Sequence, residues 1–331
     1  MTIKEIADLA GTSRGTVDRV LNGRGKVNPE LEAKIRKIAA SAHYQPNVLA
    51  QALINSRKTF HIGVVVHSVD NPFFIDVLKG INERAKKLEN YGLKLSMRQI
   101  KGYDPVQQLQ AVKELRAEGI DGLAIMPMDL AEIREALEEL DIPVVTFNSD
   151  IDIDRLAFVG CNYYNSGMIS GDVARLLLHG GGTAAVVVGS LSVRGHRERV
   201  QGFMDCIRDL SGIRVLTPVE NQDDDQISYE TVRKLLREHQ PDLLYFAAAG
   251  LEGGLRAVRE CGREVHIIAV DETELVRRCL ADGTVAATVT QQPYLQGELP
   301  IRILYDFLAN KRRPKQPLCF TSNEVKFRHN I

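Results

Sequence analysis

From Phe60 onward two apolar periods alternate along the chain, and that alternation restricts it to a narrow group of folds. Short apolar runs suited to buried parallel strands recur at 62–66, 122–126, 144–147, 184–188, 243–247, 267–270 and 286–289. Amphipathic segments of helical period fill the gaps, at 74–88, 106–118, 130–140, 166–178, 199–210 and 228–239. Strands that alternate with helices in this way specify a doubly wound α/β sheet, and a stretch this long suggests two lobes. With 331 residues, 44% of them hydrophobic, the chain is long enough for two or three domains.

The first 57 residues follow a different rule. Ile3, Ile6, Ala7 and Ala10 repeat at helical spacing, and Gly11 permits a sharp turn. Ser13 can then cap a second helix whose apolar residues are Val17, Val20 and Leu21. This is a helix-turn-helix pattern, and the start of its second helix carries Arg14, Gly15, Thr16, Asp18 and Arg19. When such a helix lies in a major groove, that end meets the base edges. A basic, glycine-containing loop with Asn22, Arg24 and Lys26 follows, and Asn28-Pro29-Glu30 opens a third helix with a cap, a first-turn proline and an acid. Tyr44-Gln45-Pro46-Asn47 is a helix stop and restart, and the piece at 48–53 is too short to be a stable helix alone. One helix-turn-helix pattern can arise by chance as a tight corner, but these three features in this order favour DNA binding.

Charge distribution agrees. Residues 1–60 hold ten Lys or Arg against five Asp or Glu, a balance of +5, so the formal net charge of −1 leaves −6 for the remainder. Phosphate binding depends on where positive charge sits, so a near-neutral total does not exclude nucleic acid. The N-terminal stretch mixes charged and apolar residues, and no apolar run reaches the length of a membrane span, so a cytoplasmic protein with no membrane association is expected. Five scattered cysteines without CxxC pairing fit reduced thiols.

An enzyme is not expected. Gly180-Gly181-Gly182 precedes a strand instead of following one, the reverse of a phosphate loop. Gly250 to Gly254 follows a strand but has neither the GxGxxG spacing nor a P-loop lysine. No HExxH pattern occurs, and no Ser occupies a GxSxG elbow between a strand and a helix, so no catalytic residue, metal or cofactor is assigned.

Together these segments resemble the LacI/GalR family of bacterial transcription repressors. That resemblance implies that Arg14 and Gly15 are the main specificity pair and that Arg19 reads a further base. Ser13, Thr16, Asn22 and Lys26 complete the implied DNA surface. It also implies a hinge helix after Asn47 that orders on operator DNA, with Leu53 wedged into the minor groove beside its dimer mate. Asp18 departs from the family, which commonly has Ser there. The implied partners are palindromic double-stranded operator DNA and a second copy of the chain.

The remainder, over 61–328, resembles a type I periplasmic sugar-binding protein, with the ribose-binding branch nearest. The motifs that carry this are Ile62-Gly63-Val64-Val65-Val66, Asn71-Pro72-Phe73-Phe74, Glu118-Gly119-Ile120-Asp121-Gly122, Ile142-Pro143, Arg197-Glu198-Arg199 with Gly202-Phe203, Asp271, and Thr290-Gln291-Gln292-Pro293. Asn71, Phe73, Phe74, Arg197, Asp271 and Gln291 match the ribose pattern, and Asn148 stands where that pattern has Asp. Ser149 falls where it has Arg, Asp224 near its second aromatic wall, and Ala247 or Ala248 near an Asn. All candidates lie beyond carboxyl ends of expected strands, where open α/β sheets bind ligands. Asp150, next to Asn148, is added to them, and His67 and His196 are possible polar contacts. Each also has a structural use: Phe73 and Phe74 as core, Arg197 in a surface pair, Asp271 as a helix cap, Gln291 on hinge backbone.

The expected domains are a headpiece at 1–46, a hinge and linker at 47–58, and a sensor at 59–331. Within the sensor the N-lobe is expected at about 61–160 and 292–318, the C-lobe at about 161–291, and a tail at 319–331. The implied effector is a small sugar or polyol other than ribose, or a singly phosphorylated relative. The alternative is a stand-alone sugar-binding or sugar-transforming α/β protein with an incidental helical cap.

Overall fold

The computed structural model describes residues 2–21, 27–42 and 58–331, and the chain divides into one unit up to Thr59 and a second from Phe60. In the first unit, α1 (Ile3–Ala10), α2 (Arg14–Leu21) and α3 (Pro29–Ser41) enclose a small core of Ile6, Ala7, Ala10, Val17, Val20, Ile35 and Ala39. Thr2 and Glu5 form a reciprocal capping box at the start of α1. Gly11 ends that helix at φ 73°, a left-handed conformation that disfavours a side chain. Asn28 caps α3 ahead of Pro29, as its sequence suggests.

The second unit holds two sheets. The N-lobe sheet comprises β1 (Phe60–Val66), β2 (Leu93–Gln99), β3 (Gly122–Ile125), β4 (Val144–Phe147), β5 (Ala157–Cys161) and β12 (Leu318–Thr321), in the order β12-β5-β4-β3-β1-β2, all parallel. Its helices are α4 (Phe73–Glu89), α5 (Pro105–Ala117), α6 (Ala131–Glu138) and the returning α12 (Pro293–Asn310). The C-lobe sheet runs β13-β11-β10-β9-β6-β7, built from β6 (Gly182–Val188), β7 (Ile213–Val215), β9 (Leu243–Phe246), β10 (His266–Val270), β11 (Ala287–Thr290) and the antiparallel β13 (Glu324–Lys326). The two-residue β8 (Val219–Glu220) pairs with β6. Helices α7 (Tyr163–Leu177), α8 (Arg194–Ile207), α9 (Asp225–Glu238), α10 (Leu251–Cys261) and α11 (Glu274–Asp282) cover this sheet. Each sheet is buried on both faces by separate apolar clusters, which explains the unbroken apolar runs of its central strands.

The chain passes between the lobes three times, after β5, after β11 and between β12 and β13. The stretch expected as a tail at 319–331 adds to both sheets, because β12 extends one and β13 the other. Helix α8 also starts earlier than its apolar period suggests, at Arg194 and not near residue 199. A Cβ at Gly167 would lie 2.0 Å from the Arg199 carbonyl oxygen, and one at Gly202 would lie 2.0 Å from that of Tyr164. Helices α7 and α8 therefore touch backbone to backbone, which fixes the position of Arg199.

Candidate ligand cavity and DNA-facing helix

Six residues that follow strands at the lobe interface adopt left-handed backbone: Ser68 (φ 55°) after β1, Asn148 (φ 58°) after β4, Gln222 (φ 55°) and Asp223 (φ 56°) after β8, Asp271 (φ 66°) after β10 and Gln292 (φ 55°) after β11. Non-glycine residues at positive φ are uncommon and cluster at functional sites. Here all but Gln222 and Gln292 turn into one cavity of ≈ 40 Å³ between the lobes. Asn71, Phe73, Phe74, Tyr103 and Met126 line it from the N-lobe, and Tyr163, His196, Arg199, Ala248, Ala249 and Gln291 from the opposite side.

Arg199 is the central polar group. It is 2% exposed, its Nη1 donates to the Ala247 carbonyl at 2.6 Å, and its guanidinium lies 5.0 Å from the centre of the Tyr163 ring. Its Nε and Nη2 have no hydrogen-bond partner. Buried donors left unmade are costly, more so on a charged group, so these two N–H groups are placed for something that accepts. Asp271 lines the same cavity; burial raises its carboxyl pKa, while Arg199 and a 2.6 Å hydrogen bond from Gln291 Nε2 pull it back down. Asp223 Oδ1 accepts the Ala249 N–H at 3.0 Å, and its Oδ2 accepts the Tyr103 hydroxyl from the other lobe. Burial raises the pKa of Tyr103 and lowers that of His196, so the phenol stays protonated and the imidazole uncharged.

A buried network connects the cavity to the crossings. Asn148 Nδ2 donates to Gln296 Oε1 at 3.0 Å, and Gln296 Nε2 donates to the Gln291 carbonyl at 2.8 Å. Thr321 Oγ1 donates to the same carbonyl at 2.9 Å. Phe73 and Phe74 meet edge to face at 5.1 Å, and Asn71 Oδ1 caps the Phe73 N–H, which sets both rings at the start of α4.

The structure thus brings together Asn71, Phe73, Phe74, Asn148, Asp271 and Gln291 among the sequence candidates, but Arg197 and Asp150 lie elsewhere. Arg197 is 43% exposed; it donates to the carbonyls of Leu191 and Ser192 and bridges to Asp129 of the N-lobe at 2.8 Å. The early start of α8 makes Arg199, two residues on, the inward arginine. Asp150 pairs with Arg155 at 2.5 Å and Thr146 at 2.7 Å, lining a separate groove beside Phe158 and Phe320. Asp224 caps α9, leaving its neighbour Asp223 to the cavity, and Thr273 rather than Asp271 caps α11. Tyr103, Tyr163, Asp223 and Arg199 were not selected from sequence. Tyr103 follows an edge strand that mixes charge with apolar residues, and Asp223 follows a strand of two residues, so neither loop had a legible strand before it.

On the headpiece, Ser13, Arg14, Gly15 and Arg19 are exposed and Thr16 partly so. The Ser13 and Thr16 hydroxyls are 3.0 Å apart, and Ser13 Oγ caps the Thr16 N–H at 3.2 Å. Arg19 Nε donates to the Gly15 carbonyl at 3.2 Å. Asn22, Lys26 and Leu53 lie outside the described residues.

Residues 62–312 match the family described as Periplasmic binding protein domain, and residues 2–47 match Bacterial regulatory proteins, lacI family. The chain belongs to the lacI family of bacterial regulatory proteins, with a periplasmic binding protein domain as its second unit. The lacI-family relative HTH-type transcriptional regulator DegA of Bacillus subtilis (strain 168) is 26% identical over 99% of this chain and 97% of its own. Ribose import binding protein RbsB of the same organism is 29% identical over 78% of this chain and 85% of its own. Among solved structures, GanP, a glucose-galactose binding protein from Geobacillus stearothermophilus, superposes with a TM-score of 0.76 at 27% identity, covering 82% of this chain and 99% of that one. In this lacI-family chain, then, the two units that differ in sequence period also match two different families. Among the described residues no helix is long and apolar enough to cross a membrane.

Proposed function

We propose that this chain is a cytoplasmic transcription repressor that binds a palindromic operator as a homodimer, and that a small sugar or polyol in the interlobe cavity sets its operator affinity. The observation that carries the reading is the convergence of strand-end residues in left-handed backbone on one cavity, whose donors and acceptors suit vicinal hydroxyls. Arg199, Asp271, Asn148, Asn71 and Gln291 are the polar contacts, and Phe73 and Phe74 the platform for the ring C–H face. The lacI-family relationship and the ribose and glucose-galactose names of its relatives support a sugar effector. No catalytic role is assigned.

A cavity of ≈ 40 Å³ is the volume of one or a few waters, so a sugar enters as the lobes part and the structure closes on it differently. Ligand binding is thereby linked to the angle between lobes, the kind of two-state element that a regulator needs. On the DNA side, Ser13, Arg14, Gly15, Thr16 and Arg19 form the base-facing end of α2, with Asn22, Lys26 and Leu53 as further contacts. Arg14→Ala is expected to cost about 1–3 kcal/mol on the preferred operator and to relax one symmetric base position.

The test is calorimetric titration of the full chain with a sugar library, with and without an operator selected from random DNA. Coupling is reciprocal: an effector that changes operator affinity tenfold, about 1.4 kcal/mol, must have its own affinity changed tenfold by operator. A sugar that binds with the same affinity whether or not operator is present would refute the cavity as the regulatory site.

A further inference from the structure

We propose that the effector is a sugar or polyol bearing neither phosphate nor carboxylate, and that Asp223 is the residue that turns anionic sugars away. This rests on the reading of the cavity as the effector site and narrows it. Among the described lining residues two carboxylates, Asp223 and Asp271, stand against one guanidinium, Arg199. His196 does not restore the balance, because burial favours its uncharged ring. Helix starts add further positive poles, those of α4 at Phe73, α7 at Tyr163 and α8 at Gly195 and His196, and the last of these is the one beside Asp223.

Asp223 is stationed against that pole. A Cβ built on Gly189 would lie 2.4 Å from Asp223 Oδ1 and 2.7 Å from His196 Cε1, so the carboxylate and the imidazole converge over the same glycine. Neighbouring residues do different work: Asp224 caps α9 through the N–H groups of Gln226 and Ile227, while Asp223, turned inward at φ 56°, caps no helix. An anion drawn to the start of α8 therefore meets a like charge held in place by Ala249 and Tyr103. Carboxylates accept and do not donate, so the two together call for a ligand rich in hydroxyl donors. The unpartnered Nε and Nη2 of Arg199 supply the complementary donors to its oxygens.

The experiment is calorimetry on the full chain at neutral pH with matched panels: uncharged aldoses and polyols, their monophosphates, the corresponding uronic acids and amino sugars. Wild-type protein is expected to bind an uncharged sugar at least about 100-fold tighter than its phosphate or uronate, a difference of about 2.7 kcal/mol. Asp223→Asn should narrow that gap by about tenfold or more. Tyr103→Phe, which removes the cross-lobe hydrogen bond but keeps the charge, should leave the ratio between the two ligand classes nearly as in wild type, and thermal melting of both variants reports whether they are folded. A phosphorylated or uronic sugar that binds wild-type protein as tightly as any uncharged one overturns this inference and leaves the effector site standing. Equal effects of Asp223→Asn on both classes overturn the role of Asp223. Failure of every class to bind overturns the site and this inference together.

Discussion

The N-lobe runs β2-β1-β3-β4-β5 and the C-lobe β7-β6-β9-β10-β11, the same strand order, yet the two present different chemistry to the cavity between them. From the N-lobe come rings and amides, Phe73, Phe74, Tyr103, Asn71 and Asn148, with no charged side chain among the described lining residues. From the C-lobe come Arg199, Asp223 and Asp271. Equal topology supplies equivalent positions at the carboxyl ends of the strands; the side chains placed there divide shape from charge. In the function proposed above, one wall sets which ring fits, and the other sets which hydroxyl pattern and which net charge are accepted.

The largest expected effect comes from removing the charge wall's one cation. In Arg199→Met, Asp271 keeps Gln291 but loses the guanidinium that offsets its burial, and the cavity loses the unpartnered donors Nε and Nη2. Effector binding should disappear from calorimetry while operator binding without effector persists. Effector affinity within fivefold of wild type would refute the division of labour between the lobes.

Next in size is the link between the walls. Gln296 is fully buried in α12 and bonds Asn148 on one side and the Gln291 carbonyl on the other. Gln296→Leu leaves Asn148 Nδ2 without this acceptor while the Gln291 carbonyl keeps Thr321, with an expected cost of about 1–3 kcal/mol in denaturant unfolding of the sensor. Because Asn148 and Gln291 both line the cavity, effector affinity should fall in the same variant, whereas a purely local packing role predicts loss of stability alone.

The interface should also respond to acid. His67 is fully buried beside Tyr103, and burial, reinforced by the nearby His196, pushes its pKa down to about 3. The folded state therefore binds fewer protons than the unfolded chain below the ordinary histidine value of 6.5. Stability is fully present above that value and is lost as pH falls toward the folded pKa, by at most about 1.4 kcal/mol per pH unit for one such histidine. Urea midpoints measured from pH 7.5 to 5 should fall, and His67→Gln should flatten the lower part of that curve. An unchanged slope in His67→Gln would assign the acid sensitivity to other groups.

How much of this was legible in sequence depended on whether an element announces itself by a period. The central strands, buried on both faces, read as apolar runs, and the cavity residues that follow β1, β4, β10 and β11 were found from them. Edge strands gave no such signal: β2 alternates Leu93, Leu95 and Met97 with Lys94, Ser96 and Arg98, and β8 is two residues long. Tyr103 and Asp223, which sit just beyond those strands and join the lobes, were missed for that reason. The headpiece was legible because its caps and the left-handed Gly11 are local features.

The smallest expected effect belongs to the residue that sequence favoured over Arg199. Arg197 and Arg199 flank a single glutamate, and a two-residue offset on a helix turns a side chain by about 200°, so one must face away if the other faces in. Arg199 faces in, at 2% exposure; Arg197 holds the Leu191 and Ser192 carbonyls and crosses to Asp129 from a half-exposed position. Exposed ion pairs contribute about 0–1 kcal/mol, so Arg197→Ala should shift unfolding by no more than that. Since the Asp129 bridge spans the lobes, its loss should act on closure: faster effector dissociation at low salt, with the difference from wild type shrinking as salt screens the pair. Stopped-flow displacement across a salt series measures this. If Arg197→Ala instead abolishes effector binding to the extent expected of Arg199→Met, then the inward and outward arginines have been exchanged, and the charge wall has to be rebuilt around Arg197.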